Sequence, residues 1–452
     1  MSPPNSPIAR SMAAQPPPGY RVETLSFAEF LSLESAWNDL LLASARPSPF
    51  LTHQWIRTWW QHFSGDCEFR AVVVWADKPG SPRPARQFCR QLDLGPGDPT
   101  PLLVAATPIA FRPLSWVGRR LHVAEIVGTG AVPTRGMGLA DRVEPLVRCS
   151  DEGGGSDAAE TLTRVAARAV VAECSDAAVL HLACMPCESP IAAEIVALSD
   201  RTTSLRLLRS TSPFLRLRPT WDEQLDALAG GMRKRLRRER SALEREGAVR
   251  FRRAAISEDE SSWWPALLDT ERASWKAAHG TDLFRHPAVR NFFAELLPVM
   301  RAGGWLDLHL LELNGRPIAF ELCFRVGASA FCYSKAYRAD AAAFSPGTQL
   351  TAEVISAACN AGLREYDLLR GQDEYKTRWA DAVRAEEDWI LPTDRLRARA
   401  YAHAVLALKS RLRQRPWLRG LDDRLSGMRN RWRYPARASA DQEPGSDLRP
   451  ST

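Results

Sequence analysis

The chain has 452 residues, with 60 Lys and Arg against 53 Asp and Glu and a formal net charge of +7. Hydrophobic residues make up 45% and charged residues 25%, which excludes a wholly disordered, collagenous or disulfide-scaffold chain, while the length suggests two or three domains. No uninterrupted apolar run reaches the ~18 residues of a membrane span. Residues 1–20 are rich in Pro, Ser and Ala, lack an apolar core, and read as a disordered leader. Nine cysteines without a regular framework favour a reducing cytoplasm. His181, Cys184 and Cys187 form the one cluster with metal-like spacing, but no fourth ligand accompanies it, so no metal is expected.

In chain order, the spacing of apolar residues predicts helices over Phe27–Ala43 and His53–Phe63 and strands over Phe69–Trp75 and Leu102–Phe111. A Pro, Gly and Arg-rich loop over 78–101 separates the two strands, and a flexible turn covers 150–157. A helix near Ala158–Glu173 and a strand at Ala178–Ala183 follow. The second half repeats the order. Helices are expected over Trp263–Ala278 and Pro287–Arg301, and strands over Leu306–Leu313, Pro317–Val326 and Ser329–Tyr337. Asn314-Gly315 between the first two strands is a strong hairpin signal. A helix over about Thr348–Ala361 and a strand at Glu365–Leu369 complete it. The repeated order predicts an α/β fold of two similar lobes.

Between the halves, Leu225, Leu228, Met232, Leu236 and Leu243 keep near-helical spacing around Arg233-Lys234-Arg235-Leu236-Arg237-Arg238-Glu239-Arg240, and Gly247 ends the run. This is an amphipathic helix with a cationic face. Such a face is either simply solvated or suited to a polyphosphate, RNA or an acidic membrane. A second basic segment, 395–435, carries Leu396, Leu406, Leu408, Leu412 and Trp417 among arginines, and residues 436–452 read as a polar tail.

The stretch richest in chemistry runs from Phe331 to Trp379. Pro346 restrains Ser345, Gly347 permits close approach or a positive φ, and Thr348 is a plausible N-cap for a helix that includes Gln349. A helix N-terminus of this kind offers unpaired N–H groups to an anion. About twenty residues on, a strand carries Asp367 and Arg370 to its C-terminal end, where α/β folds place ligands.

Ser345-Pro346-Gly347, followed by Asp367-Leu368-Leu369-Arg370-Gly371-Gln372-Asp373-Glu374-Tyr375-Lys376-Thr377-Arg378-Trp379, resembles the signature of GNAT-type acetyltransferases associated with cellulose biosynthesis, the CelD/BcsL or BioF2-like group. Pro49-Phe50-Leu51-Thr52-His53-Gln54-Trp55, Trp59-Trp60-Gln61-His62-Phe63, the basic helix and Asn314-Gly315-Arg316-Pro317-Ile318-Ala319 add to the resemblance, which covers about residues 20–395. Leu368 stands where the group usually has Phe, and Gln372-Asp373 precedes Glu374 where one acid is commoner. Gly347 is the only glycine of a loop in which GNAT phosphate loops usually have two.

The resemblance implies two tandem GNAT-like lobes with mixed sheets flanked by helices, as in FemABX peptidyltransferases. It divides the chain into lobes over 21–215 and 256–394 joined by a basic connector, 216–255. It further implies acetyl-CoA or another acyl-CoA as donor, with Ser345, Pro346, Gly347, Thr348 and Gln349 at its diphosphate and Ser329–Tyr337 along its pantetheine arm. Acyl transfer needs a base, carbonyl-polarising donors and an acid for the leaving thiolate. Asp367 or Glu374 is the expected base, the backbone N–H groups near Tyr333–Lys335 polarise the carbonyl, and Tyr337 or Tyr375 is the acid. Arg370, Lys376, Tyr375 and Trp275 are expected to hold substrate. The acceptor would be an amine or hydroxyl of a sugar, a cell-envelope or exopolysaccharide precursor, or an amino compound. Two alternatives stand beside this one. The first is a FemABX-like transferase using aminoacyl-tRNA. The second is a non-catalytic accessory of polysaccharide assembly, touching the acidic inner membrane through 395–435.

Overall fold

The computed structural model describes residues 16–77, 101–116, 119–130, 139–149, 156–199, 204–254, 260–371 and 373–392. Residues 1–15 of the expected leader, 78–100 of the expected loop, 150–155 of the expected turn, Gln372 and the segments 395–435 and 436–452 lie outside them, while Tyr20, expected in the leader, begins the first strand.

Among the described residues, thirteen strands form one sheet. They are β1 Tyr20–Leu25, β2 Glu68–Asp77, β3 Pro101–Trp116, β4 Arg119–Ile126, β5 Leu146–Val147, β6 Val179–Pro186, β7 Leu205–Arg216, β8 Val249–Arg253, β9 Leu306–Leu313, β10 Arg316–Val326, β11 Ser329–Tyr337, β12 Glu365–Asp367 and β13 Ala382–Pro392. The spatial order is β1-β2-β3-β4-β6-β13-β7-β12-β11-β10-β9-β8, with β5 beside β3. The fold is mixed α/β with helices on both faces.

The expected repeat is present in the hydrogen-bond register itself. In the first half β1 to β4 are antiparallel neighbours, and β4 then pairs parallel with β6 over Val123–Val179, Ala124–Leu180 and Glu125–His181. In the second half β8 to β11 are antiparallel, and β11 pairs parallel with β12 over Ser329–Glu365, Ala330–Tyr366 and Phe331–Asp367. The last strand of each half crosses to the other. β7 lies against β12, with Phe214 opposite Asp367. β13 lies against β6, with Ile390 opposite His181. β7 and β13 also pair with each other at the centre. The two lobes therefore exchange strands and share one sheet.

Local chemistry sets the boundaries. Asn314 and Gly315 have φ of 53° and 77°, as a two-residue hairpin turn with primed geometry requires. Thr52 caps the helix His53–Phe63 by accepting the Trp55 N–H at 3.2 Å. The helix Pro287–Ala302 buries Val289, Phe292, Phe293, Leu296, Leu297 and Met300 at helical spacing. Trp55 of the first lobe meets Phe292 and Phe324 of the second edge-to-face, at 5.5 and 5.8 Å between centroids. This aromatic cluster joins the lobes behind the sheet.

Two expected helices are broken. Phe27–Ala43 is interrupted by a 3-10 turn at Leu31–Leu33. Trp263–Ala278 divides into Glu260–Arg272 and Trp275–Ala278, because Ala273 gives its carbonyl to Ala339 N–H and Ser274 bridges to Arg338. The basic helix runs from Gly230 to Glu246, after a shorter one at Trp221–Ala227.

Candidate functional site

β11 pairs with β10 along its length, Tyr337 lying opposite Ala319, but with β12 only as far as Phe331. After Asp367 the β12 chain turns away through Leu369, at φ 57°, and its later amides bond to β7 instead. At the far end, Ser274 bridges to Arg338. Between these limits Cys332–Tyr337 have no strand partner on this side among the described residues, leaving an open edge about 20 Å long at the usual rise per residue. Arg338 N–H bonds to Ile318 on β10, so by alternation Lys335 and Tyr337 point their N–H groups to the open side. A bulge places Tyr333 out of register where the edge begins. The resemblance placed the carbonyl-polarising amides on this segment.

The strand tip differs from expectation. Asp367 is fully buried. Its Oδ1 accepts the Leu369 N–H at 2.8 Å, and its Oδ2 takes Arg384 Nη1 at 3.0 Å together with Arg142 Nη1. Arg384 in turn lies 3.7 Å over the Phe214 ring. Both oxygens are occupied inside the protein, so Asp367 clamps the turn that opens the edge and has no face for an acceptor. This replaces the expected base. Arg370 instead reaches across to the first lobe, with Nε 2.9 Å from Asp141 Oδ1. The same first-lobe segment supplies Arg142, and Leu139 gives its carbonyl to Tyr333 OH at 3.0 Å.

Glu374, the other expected base, is 81% exposed and paired with Arg378 at 2.5 Å, a hydrogen bond that holds its carboxyl below the usual range. Lys376 is buried, giving its ammonium to the carbonyls of Leu369, at 3.2 Å, and Arg370, at 2.5 Å. It therefore braces the loop it was expected to extend from. Burial, with the neighbouring Lys335, draws its pKa down. Tyr375 covers Lys335, whose Nζ lies 4.4 Å from the ring centre and donates to Thr351 Oγ1 at 3.1 Å. Burial raises the Tyr375 phenol well above its ordinary range, so it keeps its proton. Lys276 joins this group; its pKa is lowered by burial and by the charges of Lys335 and Lys376. Trp275 and Tyr375 are large apolar side chains left exposed around these lysines.

The bend at 345–349 is also corrected. Ser345, at φ 48°, is the N-cap, and Pro346 takes the first helical position of the helix Pro346–Asn360. Thr348 is not the cap. Its N–H, like that of Gln349, bonds back to Ser345 C=O, at 2.9 and 3.2 Å. The expected set of bare amides is reduced to Gly347, which has no positive φ. A Cβ there would lie 3.1 Å from the Tyr337 ring, so any other residue would press that ring aside. The charge at the bend comes from elsewhere. Arg235 of the basic helix reaches Ser345 Oγ at 3.3 Å, and Gln349 Nε2 holds Leu236 C=O at 3.1 Å. Lys234, Arg237 and Arg238 are exposed and form no ion pair among the described residues.

Behind Arg370, Glu386 of β13 is 1% exposed and accepts from Ser212 Oγ at 2.5 Å, while its other oxygen has no hydrogen-bond partner. Burial, helped by the Asp141 charge, lifts its pKa from an ordinary 4.5 to about 7. A carboxyl with a raised folded-state pKa adds stability below its unfolded value and loses it as pH rises through the folded value. Glu386→Gln should therefore flatten the fall in stability between pH 4.5 and 7 by up to roughly 3 kcal/mol, as read by urea unfolding at a series of pH values.

Lys276, Lys335, Asp141, Arg142 and Arg384 were not found from sequence. Asp141 and Arg142 meet their partners across 229 and 225 positions, and no local pattern marks them. His181, Cys184 and Cys187 do not converge. His181 faces Glu125 at 3.9 Å, buried Cys184 contacts Arg370, and Cys187 is exposed. A groove of about 680 Å³, lined by Leu31, Arg57, Gln61 and Glu295 among others, lies between the helices His53–Phe63 and Pro287–Ala302, away from this chemistry.

Residues 230–377, from the basic helix to the end of the polar loop, match the family model described as an acetyltransferase (GNAT) domain. The chain matches no curated protein. Among solved structures, FemX is similar with a TM-score of 0.51 and 9% identity, over 82% of this chain and 98% of that one, a likeness of fold alone. The C-terminal domain of a putative lysylphosphatidylglycerol synthetase from Agrobacterium fabrum aligns at TM-score 0.44 and 13% identity, over 84% and 95%. A tandem GNAT protein from the clavulanic acid biosynthesis pathway aligns at 0.41 and 12%, over 82% and 98%. These two are too distant to carry an argument. No helix among the described residues is long and apolar enough to cross a membrane.

Proposed function

We propose that the chain is an acyl-CoA-dependent acyltransferase that moves an acyl group to an amine or hydroxyl. The observation that carries this reading is the free edge of β11, Cys332–Tyr337, inside the segment that matches the GNAT domain model. A pantetheine arm has two amides and can add to such an edge as a further strand. The N–H groups of Lys335 and Tyr337 then face the thioester carbonyl and stabilise the oxyanion as it forms. The acceptor attacks the carbonyl carbon, the C–S bond breaks, and the thiolate takes a proton from Tyr337. Lys335 and Lys276 stabilise negative charge nearby. Arg235 and the Gly347 amide are placed for a diphosphate.

Glu374, ionised and exposed beside Tyr375, is the carboxylate for the acceptor's proton. Its replacement by Gln should lower kcat by about 10²–10⁴-fold with the fold intact, as measured by release of free CoA thiol. The lysines favour an acceptor that carries phosphate or carboxylate. Sugars and cell-envelope precursors with such groups are the acceptors to screen first.

A thermal-shift series with acetyl-CoA, longer acyl-CoAs and free CoA tests the donor. A ligand that binds only the native state at a hundredfold excess over Kd adds about 2.7 kcal/mol, so the midpoint should rise with acyl-CoA. No rise with any CoA would overturn the reading. One observation favours a second reading, an aminoacyl-tRNA donor: Lys234, Arg237 and Arg238 stand exposed and unpaired on the helix beside the site. That reading requires tRNA binding that weakens steeply with salt and is lost when the three are changed to Glu.

A further inference from the structure

We propose that Cys323 and Cys332 form a reversible disulfide across β10 and β11, making the floor of the site a thiol-modification centre. The two residues are direct register partners on antiparallel neighbours, and both are buried. Opposed residues of an antiparallel pair have Cα atoms about 4.5–5.5 Å apart, inside the range a disulfide spans without backbone movement. Their sulfurs lie within 4.8 Å of each other. The register shift beside Cys323, where Tyr333 bulges out, gives the strands local freedom to adjust.

The surroundings favour a disulfide over a metal. Glu321 lies close enough to both sulfurs to complete a three-ligand set. Its carboxylate is already engaged, however, accepting three hydrogen bonds. Thr351 Oγ1 donates to Oε2 at 2.7 Å, and Tyr366 OH and Cys323 Sγ donate to Oε1, the latter at 3.8 Å. Both carboxylate oxygens therefore already accept hydrogen bonds from the protein. The thiol pair faces only itself and this network, and Lys335 reaches the network through Thr351.

The chemistry balances with a hydroperoxide as oxidant. The Cys332 thiolate attacks the peroxide O–O bond, giving a sulfenic acid and releasing water or alcohol. The Cys323 sulfur then attacks Cys332 Sγ, and the hydroxyl leaves as water with the Cys323 proton. Two thiols lose two electrons and two protons, and the peroxide is reduced by the same two electrons. The bond forms where the free edge begins.

The test uses the full chain, whether or not it binds CoA. Reduced protein is treated with hydrogen peroxide, unfolded in alkylating agent and digested with trypsin. Cleavage at Arg325 separates Cys323 from Cys332, and each resulting peptide holds a single cysteine. The proposal expects the two peptides joined, in an amount that grows with peroxide and disappears with a thiol reductant. In Cys323→Ser, Cys332 should stop at the sulfenic acid and be trapped by dimedone. Recovery of both peptides singly alkylated after peroxide overturns it. So does bonding of either to another cysteine, or stoichiometric zinc in the purified chain that Cys323→Ser removes.

Discussion

Asp367→Ala should lower the unfolding free energy by about 3–5 kcal/mol, the cost of removing one member of a buried ion pair. The residue has no exposed surface, and its two oxygens hold two arginines and the Leu369 amide. Without it, Arg142 loses its paired carboxylate, Arg384 keeps only Glu365, and the Leu369 turn loses its cap. Urea unfolding should show the loss even with no substrate present. Glu374→Gln, on an exposed side chain, should stay within about 0.5 kcal/mol of the native chain. An Asp367→Ala protein as stable as the native one but without turnover would return the residue to a catalytic role.

A chain ending at Asp381 should fail to fold in either lobe. It lacks β13, which pairs with β6 on one side and β7 on the other and links the halves of the sheet. Its loss bares two strand edges at the centre and uncovers the burial sites of Ile390 and Leu391, worth about 1.5–3 kcal/mol each. Edges of that kind pair with other chains. Circular dichroism and limited proteolysis should find an aggregated or protease-sensitive product. The same argument covers 230–377 expressed alone, which lacks both β7 and β13. A soluble, cooperatively unfolding fragment would contradict the strand exchange.

The parts of the fold legible in sequence were those whose burial follows a simple period. The Asn314-Gly315 hairpin, the strands β9 to β11 and the amphipathic helices all have one apolar face. β13 did not show itself because its middle reads Glu386-Glu387-Asp388, an unusual run for a central strand. Those acids are tolerated there because Arg370, Arg206 and the Cys184 N–H face them. β7 carries Arg206 and Arg216, which pair with Glu387 and Asp381. β8 was lost in the connector because its Arg residues alternate with only Val249 and Phe251. At the site, the motif marked a strand tip and a helix start but not the partners of each group. Asp367 and Lys376 look like free reagents in sequence, and their partners come from β13, the first lobe and backbone carbonyls.

The account rests on acyl-CoA occupying the open edge of β11. Amide hydrogen exchange of the full chain, read by mass spectrometry with and without saturating acetyl-CoA, tests this most directly. Peptides covering Cys332–Tyr337 should exchange more slowly with the ligand, together with those around Arg235 and Gly347. Protection confined to other surfaces, with Cys332–Tyr337 exchanging at the same rate in both samples, would contradict it.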